Sequence, residues 1–277
     1  MAQFANVKQL FDITGRNYIV TGGAQGIGLA MVHALAQCGA NVVALDMQAA
    51  PSTDYASLAK QLNVRLSYVQ ADVTDEQGLT AAFHRAFELL GGTVHGLVTC
   101  AGIALEKAFH ATTWAECRKI QDVNVTGSYF SAQLVAEQMR KQGTREGASI
   151  VLVASITSHT VLPQHRMSAY SASKGAVRML SQALAVELAA DGIRVNSISP
   201  GFIDTEMTQE VRNANPAMVA IMNDTPPLKR IGTRDDLLGA AVYLLSDASA
   251  YTTAADIAIT GGLHVQMALD NKLAQQP

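Results

Sequence analysis

A glycine-rich segment between two short apolar runs constrains the fold of this chain more than any other feature. Asn17–Thr21 predicts a buried strand, residues 22–28 (GGAQGIG) a tight turn, and residues 29–37 a helix by their periodicity. Asn41–Asp46 predicts a second apolar strand, which ends on a carboxylate. A strand, a glycine turn, a helix and a strand with a terminal acid are typical of a dinucleotide-binding βαβ unit.

Each part of this unit has a chemical reason. Glycines let the backbone approach a pyrophosphate, and the helix N-terminus offers it free N–H groups and the positive end of the helix dipole. Asp46 can accept both hydroxyls of an adenosine ribose and would repel a 2′-phosphate. Neither Gln25 nor Met47 supplies a compensating cation, so these residues favour NAD(H) over NADP(H) as the cofactor. The alternative is a glycine-rich turn without a ligand, whereas a P-loop is excluded because no Gly-Lys-Ser/Thr follows.

Strands and helices continue to alternate along the chain. Further predicted strands are residues 65–70, 94–100, 149–154, 193–199 and 256–260, and the predicted helices include one long element over residues 114–142. Repeated β-α units with largely apolar strands predict an α/β fold, a Rossmann-type doubly wound parallel sheet with helices on both faces. Because no repeat or break in composition divides the chain, residues 1–277 are expected to form a single domain.

Composition excludes several classes of partner. The chain is 49% hydrophobic and carries a net charge of −3 with no long basic run, so no nucleic-acid or membrane-surface partner is indicated and a small-molecule ligand is expected. Three widely spaced cysteines without a C-x-x-C pair predict reduced thiols and no metal site. The N-terminus has no basic region followed by an apolar run, which favours a cytoplasmic location.

Tyr170 and Lys174 are four positions apart, so both side chains lie on one face if the segment is helical. A neighbouring ammonium is expected to lower the phenol pKa from its usual value of about 10. The pair alone could be accidental, a core tyrosine next to a solvated lysine. Ligands of doubly wound sheets bind at the carboxyl ends of the strands, however, and several other polar or glycine-containing segments follow strands. These are residues 22–28, Asp46, Asp72, Ala101-Gly102, Asn124, residues 155–158 and residues 200–205.

Taken together, these segments resemble the short-chain dehydrogenase/reductase family in its single-domain oxidoreductase form. The resemblance covers nearly the whole chain, in matching order and spacing. It is carried by TGGAQGIG (residues 21–28), Asp72-Val73, Ala101-Gly102, Asn124 within VNVTG, Ser155, Tyr170-x-x-x-Lys174, Asn196 within RVNS, and Pro200-Gly201 followed by Thr205.

The resemblance implies a catalytic role for four residues. Tyr170 is expected to act as general acid in carbonyl reduction and general base in alcohol oxidation. Lys174 would lower the phenol pKa and bind the nicotinamide ribose, Ser155 would hold the substrate oxygen, and Asn124 would anchor a water linked to Lys174. For Asn124 the alternative is a buried side chain that satisfies backbone groups.

The resemblance also implies a set of cofactor contacts from one end of NAD(H) to the other. Pyrophosphate would lie on the glycine loop, the adenosine ribose on Asp46, the adenine on Asp72-Val73, and the carboxamide on Ile203 and Thr205. For Asp72 the alternative is a helix N-cap. The predicted cofactor-binding residues are Thr21, Gly22, Gln25, Gly26, Ile27, Gly28, Asp46, Met47, Asp72, Val73, Cys100, Ala101, Gly102, Tyr170, Lys174, Pro200, Gly201, Ile203 and Thr205.

The chain departs from the family pattern at two places. Cys100 stands where the family often has asparagine, and either structural packing or a redox role could explain it. The interval from Ser155 to Tyr170 is two residues longer than usual, so counting back from Tyr170 selects Thr157 instead, with Ser158 also near. Ser155 is favoured because the preceding strand determines its position. The lengthened loop, residues 156–169 with His159, Gln164, His165 and Arg166, is expected to wall the substrate pocket, although a loop histidine could simply be solvated.

Two functions of different classes follow. The first is an NAD(H)-dependent oxidoreductase acting on a secondary alcohol or ketone. Its leader and long loop look similar to fungal polyol dehydrogenases and ketose reductases, and a ketoreductase of secondary metabolism is equally open. The second is a non-catalytic NAD(H)-binding regulatory module. Family resemblance further implies a homotetramer and a mobile substrate lid over residues 202–227.

Overall fold

The computed structural model describes residues 6–143, 147–162, 165–214 and 217–265, which are built around one parallel sheet of seven strands. The strands are β1 (Asn17–Thr21), β2 (Asn41–Asp46), β3 (Leu66–Gln70), β4 (Gly96–Thr99), β5 (Ser149–Val153), β6 (Arg194–Pro200) and β7 (Asp256–Ile259). Their order in the sheet is β3-β2-β1-β4-β5-β6-β7. The predicted doubly wound parallel sheet is confirmed, while the assignment of residues 1–277 to one domain stays a prediction.

Helices cover both faces of this sheet. They are α1 (Val7–Leu10), α2 (Gly26–Gln37), α3 (Tyr55–Leu62), α4 (Glu76–Leu89), α5 (Trp114–Gln121), α6 (Gly127–Gln142), α7 (Ser168–Glu187), α8 (Glu206–Ala214), α9 (Ala217–Asp224) and α10 (Asp235–Leu245). One apolar cluster joins the sheet to α4, α6 and α7, and a second joins it to α2, α3 and α10. Among the described residues, no helix combines the length and apolarity needed to cross a membrane.

The strand order places the functional edge of the sheet. From β1 the chain adds β2 and β3 on one side, then crosses back to add β4 beside β1. Thr21 at the end of β1 is in register with Leu45 on β2 and with Thr99 on β4. The residues that follow these three strands therefore meet in one crevice, which is the ligand-binding position of doubly wound sheets.

Two regions differ from the sequence prediction. The helix predicted over residues 114–142 is divided into α5 and α6 by a π-helical turn, Asp122–Thr126. The predicted lid, residues 202–227, contains the two helices α8 and α9, and Pro216 within it lies outside the described residues. A π-turn needs one extra residue in an otherwise regular helix, and the apolar periodicity on either side hides that insertion.

Candidate active site

The glycine-rich loop between β1 and α2 packs tightly against the end of β4. Gly22 has a φ of +71°, and a Cβ there would lie 2.5 Å from Ala101 N. A Cβ on Gly28 would lie 2.0 Å from Gly22 O, so no larger residue fits. Gln25, the N-cap of α2, makes no side-chain cap hydrogen bond. The first N–H groups of this helix are therefore left for an anion.

Thr21 and Gly26 border the same crevice. Thr21 is buried, and its Oγ1 accepts a hydrogen bond from Ala101 N at 3.4 Å. A Cβ on Gly26 would lie 3.5 Å from Oε2 of Glu206, at the start of α8. Arg234 lies 3.4 Å from the other carboxylate oxygen of Glu206. Sequence reasoning missed Glu206 because a lone lid carboxylate belongs to no motif it used.

Asp46 is held against the glycine loop at the carboxyl end of β2. Its Oδ2 accepts a hydrogen bond from Ala24 N at 3.0 Å, and its Oδ1 accepts one from Gln48 N at 3.1 Å. Met47 beside it is 65% exposed. Residues 47–54 contain no Lys or Arg. This segment therefore offers no cation that would offset the Asp46 carboxylate next to a ribose.

Asp72 and Val73 follow β3 at the same edge. Asp72 accepts hydrogen bonds from the backbone N and the hydroxyl of Thr74, at 2.9 and 2.8 Å. The N-cap of α4 is Asp75, so Asp72 is not a helix cap as the alternative interpretation proposed. Val73 packs against Gly127 at the start of α6, where a Cβ would lie 2.7 Å from Val73 Cγ2.

Helix α7 carries Tyr170 and Lys174 on one face, as predicted from their spacing. Lys174 is 6% exposed, and its Nζ donates to Val153 O at 2.9 Å. The same Nζ lies 5.9 Å from the centroid of the Tyr170 ring. Lys174 is therefore a buried ammonium attached to the end of β5, and the interpretation of it as a solvated lysine is wrong.

The acid-base properties of this pair differ from the expected ones. Burial raises the pKa of the Tyr170 phenol, and only the neighbouring Ser155 hydroxyl opposes this shift. Burial also lowers the pKa of the Lys174 ammonium to about 8. The expected lowering of the phenol pKa is therefore wrong, because burial shifts this pKa the other way. Desolvation disfavours the charged form of both groups.

The choice between Ser155 and Thr157 for the serine role stays a prediction. Ser155 is 7% exposed, and its hydroxyl opposes the rise in the phenol pKa of Tyr170. Its Oγ also accepts a hydrogen bond from Thr157 N at 3.2 Å, which caps a 3-10 turn over Ile156–Ser158. The Thr157 hydroxyl is buried and has no hydrogen-bond partner within the described part of the chain.

Asn124 lies in the π-helical turn and is fully buried. Its Nδ2 donates to Ile103 O at 3.0 Å and to Ser173 Oγ at 2.9 Å, and its Oδ1 accepts from Ile103 N at 2.9 Å. The side chain thus joins the segment after β4 to the residue before Lys174. This matches the alternative in which Asn124 satisfies backbone groups, and an anchored water stays a prediction.

Gly102 and Cys100 connect the cofactor crevice with the Tyr170 pair. A Cβ on Gly102 would lie 3.3 Å from Asn124 Oδ1 and 3.5 Å from Lys174 Nζ. Burial raises the pKa of the Cys100 thiol to about 12, and the Lys174 charge opposes this shift. The thiol is protonated at neutral pH, which favours the packing interpretation of Cys100 over a redox role.

The segment after β6 leads into the lid. A Cβ on Gly201, next to Pro200, would lie 2.8 Å from Thr260 Cα. Ile203 is 3% exposed, and both its carbonyl and the backbone N of Thr205 are hydrogen-bonded to the Thr208 hydroxyl. These contacts order the lid entrance, and contact of Ile203 and Thr205 with a carboxamide stays a prediction.

A small apolar cluster connects the lid to the loop after Ser155. Its members are Ile156, Leu162, Phe202, Met218, Met222 and Leu263.

Asp256 anchors the same loop from β7, a role that sequence reasoning missed. Its buried carboxylate is 2.6 Å from His159 Nε2 and accepts a hydrogen bond from Ser199 Oγ at 2.8 Å. His159 is exposed, in agreement with the interpretation of it as a solvated loop residue, and it is also the partner of a buried acid. Gln164 of the predicted pocket wall lies outside the described residues.

A family model described as enoyl-(acyl carrier protein) reductase matches residues 22–264 of this chain. The match therefore runs from the glycine loop through every site residue described above except Thr21. It extends to the residues just beyond β7.

Characterised proteins and a solved structure resemble the chain over most of its length. The sorbose reductase of Schizosaccharomyces pombe is 33% identical, over 91% of this chain and 97% of the relative. The NADP-dependent (R)-specific alcohol dehydrogenase of Lentilactobacillus kefiri is 35% identical, over 92% of this chain and 98% of the relative. The crystal structure of a short-chain type dehydrogenase/reductase from Mycobacterium marinum superposes with a TM-score of 0.85 at 34% identity, covering 94% of this chain and all of that one.

Proposed function

The chain is an oxidoreductase of the short-chain dehydrogenase/reductase family, and we propose that it transfers a hydride between NAD(H) and a secondary alcohol or ketone. The observation that carries this proposal is the group of Ser155, Tyr170 and Lys174 at the carboxyl end of β5. It combines a proton donor, a second hydroxyl and a buried cation beside the crevice of the glycine loop. The cofactor, when bound, supplies or accepts the hydride.

The residues of the chain supply the proton and the orientation. In carbonyl reduction, the Tyr170 phenol is protonated at neutral pH, because burial raises its pKa, and donates that proton to the substrate oxygen. The Ser155 hydroxyl donates a hydrogen bond to the same oxygen. Lys174, held by the Val153 carbonyl, stabilises the phenolate that remains. In alcohol oxidation Tyr170 must first lose its proton, so we expect oxidation to accelerate with rising pH.

The crevice has the properties that a dinucleotide requires. Gly22 and Gly28 leave space that a Cβ would fill, and the uncapped N-terminus of α2 faces that space. Gly102 lies at the other end of the crevice, where a Cβ would be close to Lys174 and Asn124. We assign pyrophosphate to the glycine loop and the nicotinamide end to the neighbourhood of Lys174, with Asn124 positioning Ile103 and Ser173 around it.

We propose a preference for NAD(H), supported by Asp46 and by the absence of Lys and Arg from residues 47–54. The Lentilactobacillus relative is NADP-dependent by name, so family membership does not decide the cofactor. A carboxylate about 4 Å from a phosphate costs roughly 1–4 kcal/mol, depending on solvent screening, or about fivefold to nearly a thousandfold in affinity.

The test is turnover with NADH and NADPH on ketoses, polyols, hydroxysteroids and aromatic ketones. We expect kcat/KM to be higher with NADH, and Asp46→Asn to reduce that preference. Asp54→Asn, which keeps a helix-capping residue on α3, is the matched control and leaves the ratio unchanged. A preference for NADPH in the wild-type enzyme would refute the role of Asp46. NADH binding with no turnover on any carbonyl would favour the regulatory module instead.

We also propose that the chain assembles into a homotetramer through its long helices and β7. Support comes from large apolar side chains that are exposed on α6 and α7, Tyr129, Phe130, Met179 and Val186, with exposures of 43–77%. β7 pairs with β6 on one side alone, which leaves its other edge open among the described strands. Light scattering at micromolar concentration tests this, and a monomeric mass would contradict it.

A further inference from the structure

A cavity of about 530 Å³ lies beside the Tyr170 pair. It is lined by residues 107–110, by Thr157, Val161, Leu162 and residues 165–167 of the following loop, and by Ser168 and Ser171 in the first turn of α7. Ser171, which follows Tyr170, and Thr157, two residues beyond Ser155, both line it. The cavity therefore begins next to the position where a substrate oxygen would meet Ser155 and Tyr170.

Thr157, which lines this cavity, carries an unpaired hydroxyl. Its Oγ1 is buried without a hydrogen-bond partner in the described ranges, although its backbone N is bound to Ser155 Oγ. An unpaired buried hydroxyl destabilises a protein by about 1–3 kcal/mol. A ligand oxygen at this position would remove that penalty.

His165 also lines this cavity and carries a second buried polar group. Its side chain is 5% exposed, and neither ring nitrogen makes a hydrogen bond with the described residues. Glu106 lies 3.4 Å from Nδ1, and the ring packs against Phe202 with centroids 5.6 Å apart. Packing and the Glu106 carboxylate thus hold the ring in place, while Nε2 has no partner among the described residues and remains available for a ligand.

The remaining walls and the mouth are largely apolar. Leu162 is buried, and Phe109 and Val161 are more than 80% exposed at the opening. Lys107 is neutralised by Glu116, at 2.8 Å. Polar side chains also line the cavity, namely His110, Arg166, Ser168 and Ser171, but a substrate with a hydroxyl on every carbon would still place some of its hydroxyls against the apolar surfaces.

We propose that this cavity is a substrate subsite in which Thr157 and His165 together bind one hydroxyl of an otherwise apolar, cyclic ketone or secondary alcohol. The inference rests on the proposed function, because the subsite is defined by its position beside the reacting oxygen. It favours a hydroxylated cyclic ketone over the ketoses and polyols that the name of the Schizosaccharomyces relative suggests. Thr157, one of the two candidates for the serine position, thereby becomes a residue that determines specificity.

The test compares tetralone with its isomers that carry one hydroxyl on the aromatic ring, and with a ketohexose. We expect the best hydroxylated isomer to exceed tetralone in kcat/KM by about tenfold to a hundredfold, the usual effect of satisfying one buried polar group. Thr157→Val should remove this advantage through KM and leave the NADH dissociation constant unchanged, and Thr157→Ser should restore the advantage. His165→Phe, which retains the packing on Phe202, should reduce the advantage in the same way. Thr160→Val in the same loop is the matched control.

Calorimetry of the same ketones with the NADH complex separates the two proposals. Hydroxyl-dependent binding that is lost in Thr157→Val, without any turnover, would retain the subsite and refute the proposed reaction. Turnover with equal kcat/KM for tetralone and all its hydroxylated isomers would refute the subsite and retain the reaction. A higher kcat/KM for the ketohexose would also overturn the subsite.

Discussion

The cofactor side of this molecule is the glycine loop of residues 22–28, and its substrate side is the lid together with the loop after Ser155. Different kinds of contact determine which residues fit on the two sides. On the cofactor side, backbone contacts decide the residue: Gly22 and Gly28 face backbone atoms within 2.5 Å of where a Cβ would be. On the substrate side, a small cluster with two methionines, Met218 and Met222, joins the lid to the loop after Ser155. Methionine adapts to varied neighbours, so that cluster tolerates change where the glycine loop does not.

The largest expected effect comes from breaking the cofactor side at Gly28. In Gly28→Ala the new methyl group would meet the Gly22 carbonyl, which is backbone and cannot move aside as a side chain would. We expect NADH binding to be lost and the free energy of unfolding to fall by at least about 1–3 kcal/mol, the usual cost of overpacking. Calorimetric titration with NADH and urea denaturation measure the two effects.

Gly239→Ala is the matched control for this substitution. Gly239 lies in helix α10, and a Cβ there would meet no atom within 4 Å. This variant should bind NADH normally and gain about 0.5–1 kcal/mol of stability from the higher helix propensity of alanine. Similar behaviour of the two variants would contradict the steric account of the glycine loop.

A smaller effect is expected at Lys174, where the two sides meet. Its pKa is about 8 in the folded protein and about 10.4 in an unfolded chain. Between these values the unfolded state binds more protons, so the free energy of unfolding should rise with pH in that window. Burial of the ammonium accounts for a rise on the order of 3 kcal/mol.

Urea denaturation from about pH 7 to about pH 10.5 measures this rise against the variant Lys174→Met, which should lack it. Lys60→Met on the exposed surface of α3 serves as control and should keep the wild-type slope. Equal slopes in the wild type and Lys174→Met would show that Lys174 is not desolvated as described.

The smallest effect is expected at the cysteines. Cys38 is exposed, whereas the Cys100 thiol has a pKa of about 12 and stays protonated. Iodoacetamide at neutral pH should therefore label Cys38 first and leave NADH binding intact, as followed by peptide mass spectrometry. Rapid labelling of Cys100 with loss of NADH binding would support a redox role for Cys100 instead.

The same contrast explains what the sequence could predict. The glycine loop, Asp46 and the Tyr170–Lys174 spacing were predictable because each reflects a local requirement of backbone space, charge or helical face. The π-turn around Asn124, the partnership of His159 with Asp256, and the cavity at Thr157 were not. They depend on residues distant in sequence and on loop lengths that no periodicity reports. The depressed phenol pKa was predicted wrongly because spacing reveals the neighbouring charge but not the burial of both groups.

The separation of cofactor binding from proton donation is tested most directly by the substitution Tyr170→Phe. Tyr251→Phe on the surface is the control. Stopped-flow measurement gives the NADH dissociation constant and the single-turnover rate of NADH oxidation by the best ketone in the same samples. We expect Tyr170→Phe to keep the dissociation constant close to that of the wild type and to lower the rate by about 10²–10⁴-fold, the usual contribution of general acid catalysis. A rate equal to that of the wild type would contradict the assignment of Tyr170 as the proton donor.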